Sequence, residues 1–168
     1  MLKVSLTALD RGEVHVRGQV APDDPMWKDA GLELTSPLDV DLTARSVGSG
    51  VFVRGTLRTT VRQACRRCVS PVESEVSDTV DLLFEVLGPE EEDADGEVYP
   101  LPARGSELDL RDAVREQVLL RAPVFVLCSE DCRGLCPQCG TDLNAGTCEC
   151  VPEPAAGPWD ALKNVKFD

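Results

Sequence analysis

Eight cysteines stand in four close pairs: Cys65 with Cys68, Cys128 with Cys132, Cys136 with Cys139, and Cys148 with Cys150. Thiols paired in this way can form disulfides, exchange electrons as a dithiol, or hold a metal. Structural zinc takes four ligands in a tetrahedron, mostly thiolates delivered in pairs by tight turns, so four pairs make two complete sites. Cys136-Pro137-Gln138-Cys139-Gly140 is the most specific signal. Such a turn points backbone N–H groups at the sulfurs and sets a glycine where a side chain would obstruct. Cys148 and Cys150 follow after the short loop 141–147 and can close a local site with Cys136 and Cys139. Cys65, Cys68, Cys128 and Cys132 then supply a second site that ties distant parts of the chain together. Four pairs can combine in three ways, and this one minimises loop closure for at least one site.

The rival chemistries have less support. Arg66 and Arg67 inside the first pair would favour thiolates, as a redox dithiol needs. Redox pairs of that kind open a helix in a βαβ setting, whereas Cys65 to Cys68 falls between two strand patterns. Catalytic zinc keeps an open position and commonly uses histidine. The single histidine, His15, lies far along the chain from every cysteine. No phosphate loop or nucleophile elbow is present. The reading is a non-enzyme with no catalytic residues and no small-molecule substrate.

Within 168 residues there is room for one domain and a small appendage. No stretch approaches the roughly 20 apolar residues that span a bilayer, and residues 1–6 lack a secretory pattern. A cytoplasmic, membrane-free protein is expected, and a reducing compartment favours metal over disulfides. The net charge of −13 is repelled by phosphate backbones and anionic lipid, so basic partners are favoured.

The elements that position the cysteines are mostly strands. Leu2, Val4 and Leu6 alternate with polar residues, a turn follows at Asp10-Arg11-Gly12, and Val14 and Val16 resume the pattern, which predicts an N-terminal hairpin. Residues 21–30 read as a loop. Leu38, Val40, Leu42 and Ala44 make another strand, closed by the turn Gly48-Ser49-Gly50. Strands over 51–62 and 72–86 form an antiparallel hairpin with the first cysteine pair near its tip. The first turns Val51, Val53, Gly55, Leu57, Thr59 and Val61 inward and Arg54, Arg58 and Arg62 outward; the second carries Glu73, Glu75, Asp81 and Glu85 outward. Cross-strand ion pairs explain that arginine stripe without nucleic acid.

Residues 88–97 read as a self-repelling acidic connector. Ser106 or Asp109 can cap a helix over about 109–121, with Leu110, Ala113, Val114 and Val118 on its packed face. The fold class is therefore α+β: a mainly antiparallel sheet with one packed helix and a C-terminal cysteine-rich zinc knot. Its expected divisions are a β-rich domain over 1–123, a knot over 124–151 packed on the cysteine hairpin, and a linker with a short helix over 152–168. In that last part Trp159, Leu162 and Val165 recur at near-helical spacing.

Several blocks together resemble the YceD family. They are Cys65-Arg66-Arg67-Cys68 with Pro71-Val72, the helix end Gln117-Val118-Leu119-Leu120-Arg121-Ala122-Pro123, and the run from Cys128-Ser129-Glu130-Asp131-Cys132 through Gly140 to Leu143-Asn144. The resemblance covers most of the chain after Val51. It implies a ribosome biogenesis factor that supports accumulation of large-subunit (23S) ribosomal RNA. The family's genes often neighbour that of a small zinc-binding large-subunit ribosomal protein, and some members lack part of the cysteine set. Two structural zinc ions would then be this branch's way of holding the fold. With the acidic charge, the implied partner is a basic ribosomal protein or a pre-ribosomal particle, contact with ribosomal RNA being secondary. The alternative is a nucleic-acid-binding zinc module with a regulatory role.

Overall fold

Alternation of apolar and polar residues over 51–62 and 72–86, broken at Phe52, Ser74, Asp78 and Leu83, underlies the longest pairing in the molecule. The computed structural model describes residues 2–86, 98–102 and 105–151. In chain order the elements are β1 (Lys3–Ser5), α1 (Leu6–Leu9), β2 (Val14–Val20), a 3-10 turn at Pro25–Trp27, β3 (Glu33–Leu34), β4 (Leu38–Val47), β5 (Gly50–Ala64), β6 (Pro71–Glu85), β7 (Val98–Pro100), β8 (Glu107–Asp109) and α2 (Arg111–Arg121). The acidic connector and the C-terminal helix expected from the sequence lie outside the described residues. Among the described residues no helix is long and apolar enough to cross a membrane.

Six strands form the main sheet in the order β2-β4-β5-β6-β7, with β3 added beside β5. All neighbours are antiparallel except β6 and β7, which run parallel. The α+β class is as the sequence predicts. One face carries the core: Val40, Leu42, Val53, Leu57, Val61, Val80 and Leu82 are buried in a single cluster with Leu110, Val114 and Val118 of the helix segment. Asp109 accepts a hydrogen bond from the Arg111 N–H at 3.0 Å, satisfying one of the helix's free N-terminal donors, and the helix begins two residues later than expected.

The predicted N-terminal hairpin does not form. β1 pairs with β8 instead, Val4 opposite Leu108, as a separate two-stranded sheet. Leu6 opens α1, whose Leu9 is buried, and β2 pairs with β4. Three residues of alternation are too few to fix a partner; Val4 and Leu108 are instead paired by burial in the shared core.

Gly55 marks a close approach in mid-sheet. A Cβ there would lie 2.0 Å from the Asp41 carbonyl oxygen of β4, so only glycine fits.

Candidate metal centres

Where β5 and β6 meet, the chain turns through Cys65-Arg66-Arg67-Cys68. The turn is closed by Cys65 N–H donating to Ser70 O at 2.8 Å and Val69 N–H donating to Cys65 O at 3.0 Å. The second tight pair repeats this geometry, with Gly140 N–H donating to Cys136 O at 2.9 Å. In each turn the residue after the second cysteine takes a left-handed conformation, φ 74° at Gly140 and φ 63° at Val69. Glycine adopts it freely, while a β-branched residue is strained there by about 1–2 kcal/mol. Val69 is 63% exposed and gains little by burial. Val69→Gly is therefore expected to raise stability by up to about 1 kcal/mol, after the entropy glycine adds to the unfolded chain. Denaturant unfolding would check this; a destabilised variant would show that the Val69 side chain is needed.

The sulfurs gather into two groups of four. Cys65, Cys68, Cys128 and Cys132 form the first and Cys136, Cys139, Cys148 and Cys150 the second, with all sulfurs of a group within 4.8 Å of one another. Cys65 and Cys132 sulfurs are 3.8 Å apart, and Cys68 and Cys128 sulfurs 3.5 Å. A tetrahedron with metal–sulfur distances of about 2.3 Å places its sulfurs about 3.8 Å apart. All eight thiols are free. Both groups therefore fit a metal ion, and they follow the combination that loop closure favours. In the first, Cys65, Cys68 and Cys132 are buried and Cys128 exposed; the second holds one buried cysteine, Cys136.

Backbone donors prepare both groups for anionic sulfur. Burial pushes the Cys65 thiol up, but N–H groups of Cys68, Arg67 and Cys128 outweigh it and bring it down to about 6. The Thr141 hydroxyl, 3.1 Å away, and its backbone lower Cys139 to about 6. Once some thiolates exist, others in the group resist ionising. Cys68 chiefly pushes Cys128 up to about 12, and Cys139 does the same to Cys150. A cation among the sulfurs removes that conflict, since ligand thiols bind deprotonated.

The first group also joins the knot to the sheet, and its two arginines take part in a way the sequence did not reveal. Arg66 donates through Nε and Nη2 to Val124 O at 3.1 and 2.9 Å, and its N–H donates to Val126 O at 2.9 Å. Arg67 Nη1 donates to Cys132 O at 2.8 Å, while Arg67 O accepts the Leu135 N–H at 3.0 Å. Gly134 rests on Arg67: a Cβ there would meet its carbonyl oxygen at 2.9 Å. The arginines are clamps for backbone carbonyls. Only tertiary placement reveals that role.

The outer sheet face is largely neutralised. Arg54 pairs with Asp81 at 3.4 Å, and Arg62 with Glu73 at 2.9 Å and Glu33 at 3.2 Å. Arg58 faces Ser77 and Asp39 across the sheet and has no ion pair among the described residues, so the expected pairing holds at two of three positions. His15 is exposed on β2 and shares a 3.0 Å hydrogen bond with Thr43.

A family model described as large ribosomal RNA subunit accumulation protein YceD matches residues 53–166, which include all eight cysteines. The chain belongs to the YceD family. An uncharacterised protein of Mycobacterium tuberculosis is 37% identical over 123 residues, covering 67% of this chain and 57% of that protein. A Mycobacterium leprae protein, also uncharacterised, is 33% identical over 123 residues, covering 67% of this chain and 54% of that one. The chloroplastic YCED homolog 1 of Zea mays, named as a large ribosomal RNA subunit accumulation protein, is 25% identical over 156 residues, 76% of this chain and 52% of its own. The chain thus spans about half the length of these curated relatives. No solved structure gives a significant match. YceD proteins are named for ribosomal RNA accumulation, and the name carries no enzyme class.

Proposed function

We propose that this YceD protein is a non-enzymatic ribosome biogenesis factor supporting accumulation of large-subunit (23S) ribosomal RNA. The observation that carries the proposal is the family match over residues 53–166. Each group of four cysteines holds one structural zinc ion in this reading, since an all-thiolate tetrahedral set suits zinc and leaves no open position for catalysis. The zinc-held knot over 124–151 and the sheet domain over 1–123 act as one docking unit in the cytoplasm.

A basic ribosomal protein, free or on a pre-ribosomal particle, is the proposed partner. The charge of −13 favours it, and bare RNA gains its affinity mainly from phosphate contacts that the paired Arg54 and Arg62 are poorly placed to give. Deleting the gene is expected to lower large-subunit RNA relative to small-subunit RNA, measured on gradients and by RNA quantification. Unchanged subunit profiles would reject the assembly role. Tight binding of the purified protein to bare large-subunit RNA at physiological salt would keep that role but replace the protein partner with direct RNA contact.

A further inference from the structure

The loop that joins the two halves of the second cysteine group carries a side chain that reaches the first. Asn144 Nδ2 donates to the Cys132 sulfur at 3.5 Å and to Asp142 Oδ1 at 2.7 Å. Its Oδ1 accepts the Arg133 N–H at 2.8 Å, and its own N–H donates to Asp142 Oδ1 at 2.9 Å. Leu143 N–H donates to Gly134 O at 2.9 Å, and Leu135 forms a bridge with Asp142. Residues 132–135, which lead out of the first group, are thus backed by residues 142–144 of the loop closed by the second.

Chain connectivity gives the groups different starting points. The second lies within Cys136 to Cys150, so its ligands close short loops. In the first, Cys68 must find Cys128, 60 positions away. Short loops lose less entropy on closure, so the second group assembles at lower cost. Its metal pins both ends of the Asn144 loop, at Cys139 and Cys148. A loop already ordered presents its amide to Cys132 without a further ordering cost. An N–H aimed at a ligand sulfur orients that ligand and stabilises its charge.

We propose that the two centres are coupled: the second fills first, each metal raises the affinity for the other, and Asn144 is the residue that transmits the effect. The inference rests on the reading that both groups hold metal. Coupling between sites is reciprocal, so the factor by which the second metal strengthens the first must equal the reverse.

The test titrates the full-length chain with cobalt(II), whose absorption reports tetrahedral thiolate ligation, and then with zinc against a competing chelator. Cys65→Ser and Cys148→Ser, each left with one complete centre, assign the spectra. Wild type is expected to fill the second centre first. Asn144→Ala should still bind two metals, with the first centre weakened about tenfold, in the range typical of lost ligand-orienting contacts. In the Cys65→Ser background, Asn144→Ala should leave the second centre's affinity unchanged. Equal first-centre affinity in wild type and Asn144→Ala would overturn the coupling, as would filling of the first centre before the second. A general loosening, in which Asn144→Ala weakens the second centre of Cys65→Ser as well, would also contradict it. A wild-type chain that takes up no metal would instead remove the metal reading on which the proposal stands.

Discussion

Serine in place of Cys136 is expected to remove one metal from the chain and unfold residues 133–151, while the sheet keeps its melting transition. Apart from the proposed metal centres the knot has hydrogen bonds but almost no apolar core. Outside its cysteines, Val126 is its one buried apolar residue among those described, with Leu127 and Leu135 half-buried against the first sulfur group. Burying a valine contributes about 1.5–3 kcal/mol, whereas a structural zinc site contributes about 10–16 kcal/mol to the fold it holds. The metal term wins by a wide margin. The sheet, by contrast, draws on a core cluster that runs from Leu2 to Val118 and includes no residue of the knot. Limited proteolysis, read with thermal melting, separates the two: new cleavage within 133–151 is expected, with the main transition moving by a few degrees at most. A variant as resistant as wild type would show that the second cysteine group is not a structural centre.

Cys65→Ser is expected to act differently, releasing the knot from the sheet rather than melting the knot. The first group draws two ligands from the hairpin tip and two from the knot, so losing one sulfur opens the junction. Arg66 and Arg67 would remain as clamps, but their hydrogen bonds to Val124, Val126 and Cys132 each contribute only about 0.5–3 kcal/mol. Those contacts alone do not replace a four-thiolate centre. Residues 124–135 should become sensitive to protease and to amide exchange, while Cys136, Cys139, Cys148 and Cys150 retain one metal. Protection of 124–135 at the wild-type level would mean that the clamps, not the metal, join the two parts.

These expectations rest on features that differ in how far the sequence exposes them. The β5–β6 hairpin was legible because alternation over 51–62 and 72–86 is long enough to fix face and register, and the turn between them is short. The two sulfur groups were legible for another reason: ligand number and loop closure leave few ways to combine four cysteine pairs. β1 was misread because three residues of alternation carry no information about a partner, and Lys3 meets Glu107, 104 positions away. The parallel addition of β7 was invisible for the same reason, its three residues finding Leu83 to Glu85 only through the finished sheet. Arg66 and Arg67 read as electrostatic neighbours of a thiol, yet their partners are backbone carbonyls that no side-chain pattern reports. Asn144 entered only through the family resemblance, and its contact with Cys132 was not legible, since that depends on Cys132 lying beside a loop that follows it in the chain.

Metal content tests the central claim most directly, because everything proposed for the knot depends on two filled thiolate centres. The chain should be purified without added metal and analysed by elemental mass spectrometry and X-ray absorption. Two zinc ions per chain are predicted, each with four sulfurs at about 2.3 Å. One ion would remove the centre formed by Cys65, Cys68, Cys128 and Cys132; a folded, metal-free chain with eight freely titrating thiols would contradict the account altogether.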